Sequence, residues 1–327
     1  MVDLSNLPKF ADLPVFEATG EHYAWDVWGR DDELGMVNLL TPERVQRAAS
    51  LVRRGKVINV EPSKAIPPPT SPNKTVFEYH LNVGRTSRSD YMDHWPLHGG
   101  WAHLDGLSHH RYREFGYYGG RQEDDLAERH EIGIEKWGHH GLVGRGVLVD
   151  VARYLDERGE FPDADHRYYI STELIEATAA AHGVSFEPGD FILLRTGWQR
   201  WYAGLSDAQK QSMDTTGGKE SQRDIDFIVL DRHMKTAEWL WDHRIVAVWA
   251  DNGALESHSL GDPAEEGVGS NHRRMLVMMG MGIGEFFTFE DLSADCAADG
   301  VYEFMVTAKP VNYPGAVGSS ANAYVIK

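Results

Sequence analysis

Histidine and carboxylate side chains are concentrated in one short stretch of the sequence. Five of the 16 histidines fall between His94 and His110 in a chain of 327 residues. His103 and Asp105 are two positions apart, so on a β-strand both side chains leave the same face. An imidazole and a carboxylate on one face supply half of a site for a divalent ion, and Zn²⁺ and Mn²⁺ both suit such ligands. The spacing therefore predicts metal chemistry here.

Two further histidines flank this pair. His98 lies an odd number of positions before His103, and a straight strand would point it to the opposite face. The glycines at 99 and 100 supply the bend that brings His98 round as a third ligand. His109 follows a Gly-Leu-Ser stretch, and because histidine titrates near neutral pH it is a candidate general acid or base. His110 is expected to face solvent.

His272 and Glu285 form a second candidate pair near the C-terminal end. Over this interval a continuous helix would rise about 19 Å, but glycines at 280, 282 and 284 make such a helix unfavourable. A helix followed by a turn and a strand would return Glu285 toward His272. The alternative, which spacing alone favours, is a surface histidine on a helix and an ordinary acid at a strand end.

Three residues are candidates for substrate contact. Arg195 and Trp198 end a predicted buried strand, and Trp101 lies within the histidine-rich stretch. Flat aromatic walls suit an aromatic or cyclic small molecule, and a guanidinium suits a carboxylate on it. Core packing is the alternative for each tryptophan. The segment 251–256 follows another buried strand and is typical of either a functional loop or a turn.

Strands and helices that must position these residues alternate along the chain. Segment 61–73 holds five prolines and is a candidate surface loop or arm toward another subunit, with a domain linker as the alternative. The pattern predicts one α/β domain over 75–327, preceded by an N-terminal helical extension and proline-rich arm over 1–74. The main predicted helices are 42–52, 172–181, 231–243 and 272–279, and the main predicted strands are 56–60, 75–83, 146–151, 191–195, 245–250 and 301–308.

The composition excludes several classes of partner. With 32 basic and 50 acidic residues the net charge is −18, which disfavours nucleic acid and anionic membrane surfaces. The single cysteine, Cys296, excludes an internal disulfide and a thiolate metal cluster. The first residues lack the basic and apolar regions of a signal peptide, and no apolar stretch approaches 18 residues. We therefore expect a soluble cytoplasmic protein.

The ordered motifs resemble the cyclase family of metal-dependent hydrolases, which includes bacterial kynurenine formamidase and isatin hydrolase. The family pattern is His-x-Gly-Thr-His-x-Asp-x-Pro-x-His, and residues 102–109, AHLDGLSH, match its second half. This chain has Gly99 at the first histidine of the pattern, with His98 one residue further out. The interval 272–285 is one residue longer than in short members. Further matches follow in order at 145–150, 188–198, 251–256, 272–285 and 295–304.

The resemblance implies a single α/β domain with a mixed β core of the swivelling β/β/α type, flanked by helices. It implies that His103 and Asp105 are metal ligands, joined by His98, and that His109 is the catalytic histidine. His272 and Glu285 match a later pair that holds a second ion or shapes the site. The implied activity is hydrolysis of a small amide, lactam or ester carbonyl with one or two Zn²⁺ or Mn²⁺ ions, in a homo-oligomer (dimer or tetramer).

Two other functions fit the same residues. His103 and Asp105 with a distant His258 or His272 have the form of the two-histidine, one-carboxylate triad of a non-haem Fe(II) oxygenase. A non-catalytic metal-binding protein on the same scaffold is the other alternative.

Overall fold

The apolar runs of the sequence form the middle of one curled, mixed sheet. The computed structural model describes residues 7–62, 78–93, 97–98, 102–164, 166–212, 227–256 and 269–327. Four neighbouring strands are parallel and almost wholly buried, as expected where both faces of a sheet are covered. In chain order the strands of this sheet are β1 (Val57–Asn59), β2 (His103–Asp105), β3 (Leu142–Asp150), β4 (Phe191–Arg195), β5 (Ala247–Ala250), β6 (Gly282–Glu285), β7 (Glu303–Ala308), β8 (Gly318–Ser320) and β9 (Ala323–Ile326).

The order across the sheet is β8-β2-β6-β5-β4-β3-β7-β9-β1. The parallel group is β6-β5-β4-β3, and the strands on either side of it are antiparallel to their neighbours. The histidine-rich strand β2 lies between β6 and β8, so its backbone is hydrogen-bonded on both sides. The predicted fold, a single α/β domain with a mixed β core, is confirmed.

Helices cover the sheet. Helices α1 (Pro42–Ala49) and α5 (Thr172–Ala181) pack on β3, and α9 (Glu290–Asp299) packs on β1. Among the described residues, no helix combines the length and apolar character needed to cross a bilayer. Within the described ranges the α-helices are α1 (Pro42–Ala49), α2 (Glu123–Arg129), α3 (Glu135–His140), α4 (Val151–Asp156), α5 (Thr172–Ala181), α6 (Trp198–Ala203), α7 (Asp207–Ser212), α8 (Met234–Asp242) and α9 (Glu290–Asp299), and a π-helix spans Arg273–Met279.

Most predicted elements are confirmed, with shifted ends. Strand β4 and helix α5 have the predicted bounds, and Ser171 caps α5 by accepting a hydrogen bond from the Leu174 amide at 3.3 Å. Helix α1 ends at Ala49 rather than at position 52, and β3 begins at Leu142, four residues before the predicted start.

The strand predicted over 75–83 is present as Glu78–Val83 but lies outside the main sheet. It pairs with Arg88–Asp93 in a separate two-stranded hairpin, called the hairpin 78–93 below. Tyr79, Leu81 and Val83 on this hairpin are all exposed. Its alternating sequence predicts the strand correctly, because a period of two does not depend on which strand is the partner.

The N-terminal residues share the core of the domain. Met36 and Leu39 are fully buried, and β1 forms one edge of the main sheet. The predicted division between 74 and 75, and most of the proline-rich segment 61–73, lie outside the described residues.

Candidate metal centre

Strands β2 and β6 bring the first ligand-type side chains together. In their antiparallel register His103 is opposite Glu285, and Asp105 is opposite Ile283. Because directly opposed residues share a face, both predicted ligands of β2 lie on the same face as Glu285. His103 Nε2 is 3.4 Å from Glu285 Oε2 and 3.7 Å from Asp105 Oδ1. All three residues are buried.

His98 joins this group despite its shifted spacing. Its Nε2 lies 3.0 Å from Asp105 Oδ1, and its ring centroid is 4.8 Å from that of His103. Strand β8 makes room for it, because a Cβ at Gly318 would lie 3.2 Å from the Cβ of His98. The ligand atoms of His98, His103 and Asp105 all lie within 4.8 Å of one another.

A second cluster shares Asp105 with the first. His272 Nε2 is 3.2 Å from Glu285 Oε1 and 3.6 Å from Asp105 Oδ2. His272 immediately precedes the π-helix, Gly280 ends that helix with a φ of +68°, and β6 returns the chain to Glu285. The side chain of His272 is only 12% exposed, so the surface-histidine interpretation favoured by spacing is wrong.

The chemistry of these groups fits a divalent ion. Neither oxygen of Asp105, which is fully buried, accepts a well-aligned hydrogen bond from the described residues. Burial opposes its ionisation, but contact with His98 and the charges of neighbouring imidazoles hold its pKa well below its usual range. Burial likewise opposes ionisation of Glu285, and His103 and His272 lower its pKa. Ionised carboxylates and imidazoles are the ligands that Zn²⁺ and Mn²⁺ accept.

Glu256 is a residue whose position the sequence did not specify. It ends the segment 251–256, and its Oε1 lies 2.9 Å from His272 Nδ1. Burial alone would lower the pKa of His272, but Glu256 and Glu285 on either side raise it well above its usual value. The sequence signals were the place of this segment after a buried strand and its match to the family pattern, and neither indicated a contact with His272.

His109 and His110 line the same centre. The ring of His109 is 4.0 Å from that of His98, and the ring of His110 is 4.8 Å from that of His272. Burial lowers the pKa of His109 to about 4 and that of His110 to about 3, so both imidazoles are neutral at pH 7. The expectation that His110 faces solvent is wrong, because it is partly buried against the candidate ligands.

Of the three predicted substrate contacts, the two that the structure describes, Arg195 and Trp198, are not brought together at the centre. Arg195 is 4% exposed and donates to Asp150 and Glu290, which accounts for its guanidinium without a ligand. Trp198 is fully buried, with its ring 5.8 Å from that of Phe286, which in turn lies 6.0 Å from the ring of His103. These contacts favour the core-packing alternative for Trp198. Trp101 lies outside the described residues.

The fold and the cluster define an α/β protein with a buried site suited to a divalent metal. The sequence matches the family model described as "Putative cyclase" over residues 68–257, more than half of the 327 residues. The chain therefore belongs to the cyclase family, as the sequence motifs predicted. No curated protein matches the sequence.

Solved structures support the same fold. A structure described as a novel cyclase is 29% identical, with a TM-score of 0.78 over 93% of this chain and 99% of that chain. Isatin hydrolase A from Labrenzia aggregata, bound to benzyl benzoate, is 13% identical, with a TM-score of 0.57 over 85% of this chain and 94% of that chain. Isatin hydrolase A from Ralstonia solanacearum is 14% identical, with a TM-score of 0.53 over 88% and 98%.

The ligand geometry alone does not separate the oxygenase alternative from a hydrolase. His272 Nε2 lies 3.6 Å from Asp105 Oδ2, and both His103 and His272 contact Glu285, whereas His258 lies outside the described residues. Glu285 adds a second carboxylate to the cluster, which a two-histidine, one-carboxylate triad does not need. This extra acid and membership of the cyclase family favour the hydrolase.

Proposed function

We propose that this chain is a metal-dependent hydrolase that cleaves the carbonyl bond of a small amide, lactam or ester. The observation that carries the proposal is the pair of overlapping clusters around Asp105, to which separate segments of the chain contribute. Membership of the cyclase family supports it. The fold shared with isatin hydrolases adds support for a cyclic or aromatic carbonyl compound as substrate.

Each ligand-type residue has a place in this proposal. His98, His103 and Asp105 would hold one Zn²⁺ or Mn²⁺ ion, and Asp105 with His272 and Glu285 would hold a second or shape the site of the first. A bound divalent ion supplies a Lewis acid for the carbonyl and lowers the pKa of a water to about 7. The carboxylates of Asp105 and Glu285 would supply the negative charge that retains a cation, and their burial strengthens this attraction.

His109 is the proton-transfer residue of the proposal. It belongs to neither ligand cluster, but its ring lies 4.0 Å from that of His98 and 6.3 Å from that of His272. A neutral imidazole can take a proton at one ring nitrogen and return it to the leaving nitrogen or oxygen of the substrate. This position beside both clusters supports the role that the family resemblance implies.

The test is metal content and turnover in the purified protein. We expect bound Zn²⁺ or Mn²⁺ and hydrolysis of at least one compound from a panel of formamides, lactams and esters. Asp105→Asn should lose both, whereas Asp124→Asn, an exposed aspartate of α2, should lose neither. Normal metal content and turnover in Asp105→Asn would overturn the proposal. Full metal occupancy without any turnover would favour a non-catalytic protein, and Fe(II)-dependent oxygen consumption would favour the oxygenase.

The homo-oligomer that the family resemblance implies stays a prediction. Sedimentation equilibrium of the purified protein tests it directly, with a dimer or tetramer as the expected result.

A further inference from the structure

Glu256 lies beside the candidate metal centre without belonging to either ligand cluster. It is 6% exposed and lies six residues after the end of β5. The residue before it, Leu255, is buried with a φ of +50°, a conformation that costs free energy for a bulky side chain. Asn252 holds this loop by donating to the carbonyl of Ile228 at 3.0 Å. The fold thus maintains a strained segment, residues 251–256, from which the Glu256 side chain reaches His272.

The carboxylate of Glu256 accepts four contacts from three consecutive residues. Its Oε2 accepts the Asn271 amide at 2.6 Å. Its Oε1 accepts the His272 amide at 3.0 Å and the Ser270 hydroxyl at 2.9 Å. The same oxygen lies 2.9 Å from Nδ1 of the His272 ring. Three of these contacts anchor the start of the π-helix, and the fourth acts on the imidazole itself.

The contact with the ring has a chemical consequence. An ionised carboxylate only accepts hydrogen bonds, so the Nδ1 that faces it must carry a proton. The other nitrogen, Nε2, faces Glu285 Oε1 at 3.2 Å and Asp105 Oδ2 at 3.6 Å. By the same argument Nε2 carries a proton while no cation is bound. A cation held by those carboxylates would displace the proton on Nε2, because Glu256 retains the one on Nδ1.

We propose that Glu256 is a positioning residue of the metal centre: it keeps the proton on Nδ1 of His272 and orients the ring so that Nε2 is the ligand atom. The inference rests on the proposed metal-dependent function. Carboxylates that accept the second ring N–H of a metal-binding histidine fix its tautomer and raise its basicity in many metal sites. Without Glu256 the ring would be free to rotate or to present its other nitrogen.

A purely structural role would be to anchor the π-helix, and the chain offers a matched control for it. Glu21 is also buried, and its two oxygens accept hydrogen bonds from Arg274 Nε and Nη2, both at 2.8 Å. Arg274 belongs to the same π-helix, two positions after His272. Glu21→Gln therefore weakens an anchor of this helix through a contact that does not involve the imidazole.

The experiment compares metal binding by the metal-free wild type, Glu256→Gln and Glu21→Gln. Titration calorimetry with Zn²⁺ and Mn²⁺ gives the dissociation constants, and thermal unfolding of the metal-free proteins reports the structural effect. We expect Glu256→Gln to weaken metal binding about 10–100-fold, because a glutamine amide both donates and accepts. Glu21→Gln should lower the unfolding temperature while its dissociation constant stays within about threefold of wild type.

Two outcomes would overturn this inference and leave the proposed function standing. One is wild-type affinity in Glu256→Gln, and the other is an equal loss of affinity in both variants. If Glu256→Gln does not fold, ¹⁵N NMR of the Zn²⁺-loaded wild type decides, because zinc on Nδ1 of His272 rather than Nε2 contradicts the proposal. Absence of Zn²⁺ and Mn²⁺ binding by the wild type would instead overturn the proposed function itself, together with this inference.

Discussion

The hairpin 78–93 and the strand pair β2–β6 each hold a histidine close to two carboxylates. On the hairpin, His80 Nε2 lies 3.1 Å from Asp93 Oδ2 and 3.6 Å from Glu78 Oε2. On the strand pair, the corresponding distances from His103 Nε2 are 3.4 Å to Glu285 and 3.7 Å to Asp105. The residue types, the antiparallel pairing and the separations are therefore similar in the two places.

The two clusters differ in how far their carboxylates are exposed to water, and this gives them different chemistry. The side chains of Glu78 and Asp93 are 69% and 52% exposed, whereas those of Asp105 and Glu285 are 0% and 6% exposed. Exposed charges are hydrated and screened, so their contacts stabilise little and need no counter-ion. Buried carboxylates lose their hydration and require compensating charge nearby. The comparison shows that enclosure by several segments, more than a close histidine–carboxylate pair, defines the metal centre.

The largest expected effect tests this difference directly. Glu285→Gln removes one buried negative charge from the centre, and we expect metal affinity to fall by at least about 100-fold, since changes in outer partners of a ligand already cost about 10–100-fold. Asp93→Asn makes the same kind of change on the hairpin and should leave affinity unchanged. Titration calorimetry measures both, and a comparable loss in Asp93→Asn would remove the distinction between the two clusters.

Leucines on the two strand pairs test how far each pair of strands is packed into the core. Leu104, between the two ligands of β2, is 1% exposed, whereas Leu81 of the hairpin is 48% exposed. Leu104→Ala should lower the free energy of unfolding by about 2–5 kcal/mol, because it leaves a cavity in the core. Leu81→Ala should change it by less than about 0.5 kcal/mol. Denaturant titration checks both values, and similar values would contradict the comparison.

Gly318 tests the space that strand β8 leaves for His98. An added Cβ would lie 2.9 Å from the Leu104 carbonyl oxygen and 3.2 Å from the Cβ of His98. Gly318→Ala should therefore lower the free energy of unfolding by about 1–3 kcal/mol and displace His98, with weaker metal binding. Ser89→Ala, at an exposed position of the hairpin, is the control and should be neutral in both denaturation and metal titration. Unchanged metal affinity in Gly318→Ala would argue against His98 as a ligand.

The smallest effect concerns Asp295, a buried carboxylate that is surrounded by cations instead of imidazoles. Burial opposes its ionisation, but Lys56, Arg54 and Lys327 lower its pKa below the ordinary 3.8. A carboxyl group whose pKa is lowered in the folded state stabilises the fold at pH values above its ordinary pKa. That contribution is lost as the pH falls below about 4. Asp295→Asn should cost about 1 kcal/mol at pH 7, since Arg54 and Lys56 are partly exposed, and should flatten the acid side of the stability profile. Unfolding midpoints between pH 3 and 7 measure this, and an unchanged profile would contradict it.

Sequence patterns within a single strand or helix predicted the features that lie within that one element. The alternation of side chains along a strand was enough to place His103 and Asp105 on one face, and the caps of α5 were enough to fix its ends. The association of the clusters depends on sheet register and on the π-helix, which hydrophobic periodicity does not report. Glu256 was missed as a partner of His272 because a loop residue has no period that would indicate its direction.

The hairpin 78–93 shows that a local pattern can predict a strand without predicting its partner. Its strand Glu78–Val83 was predicted from alternation, but nothing in that pattern distinguishes an isolated pair of strands from a strand of the main sheet. The partner of a strand is determined by the whole topology, and the exposure of its residues follows from that partner.

The π-helix also affects how this chain should be aligned with other members of its family. Hydrogen bonds between residues i and i+5 enclose one more residue than the i to i+4 bonds of an α-helix do. Such a helix can absorb an insertion while the residues at its two ends keep their positions. The number of residues between His272 and Glu285 is therefore free to vary by one between homologues that conserve the site. An alignment anchored on the pairing of His103 with Glu285 will identify equivalent ligands more reliably than one based on a fixed spacing.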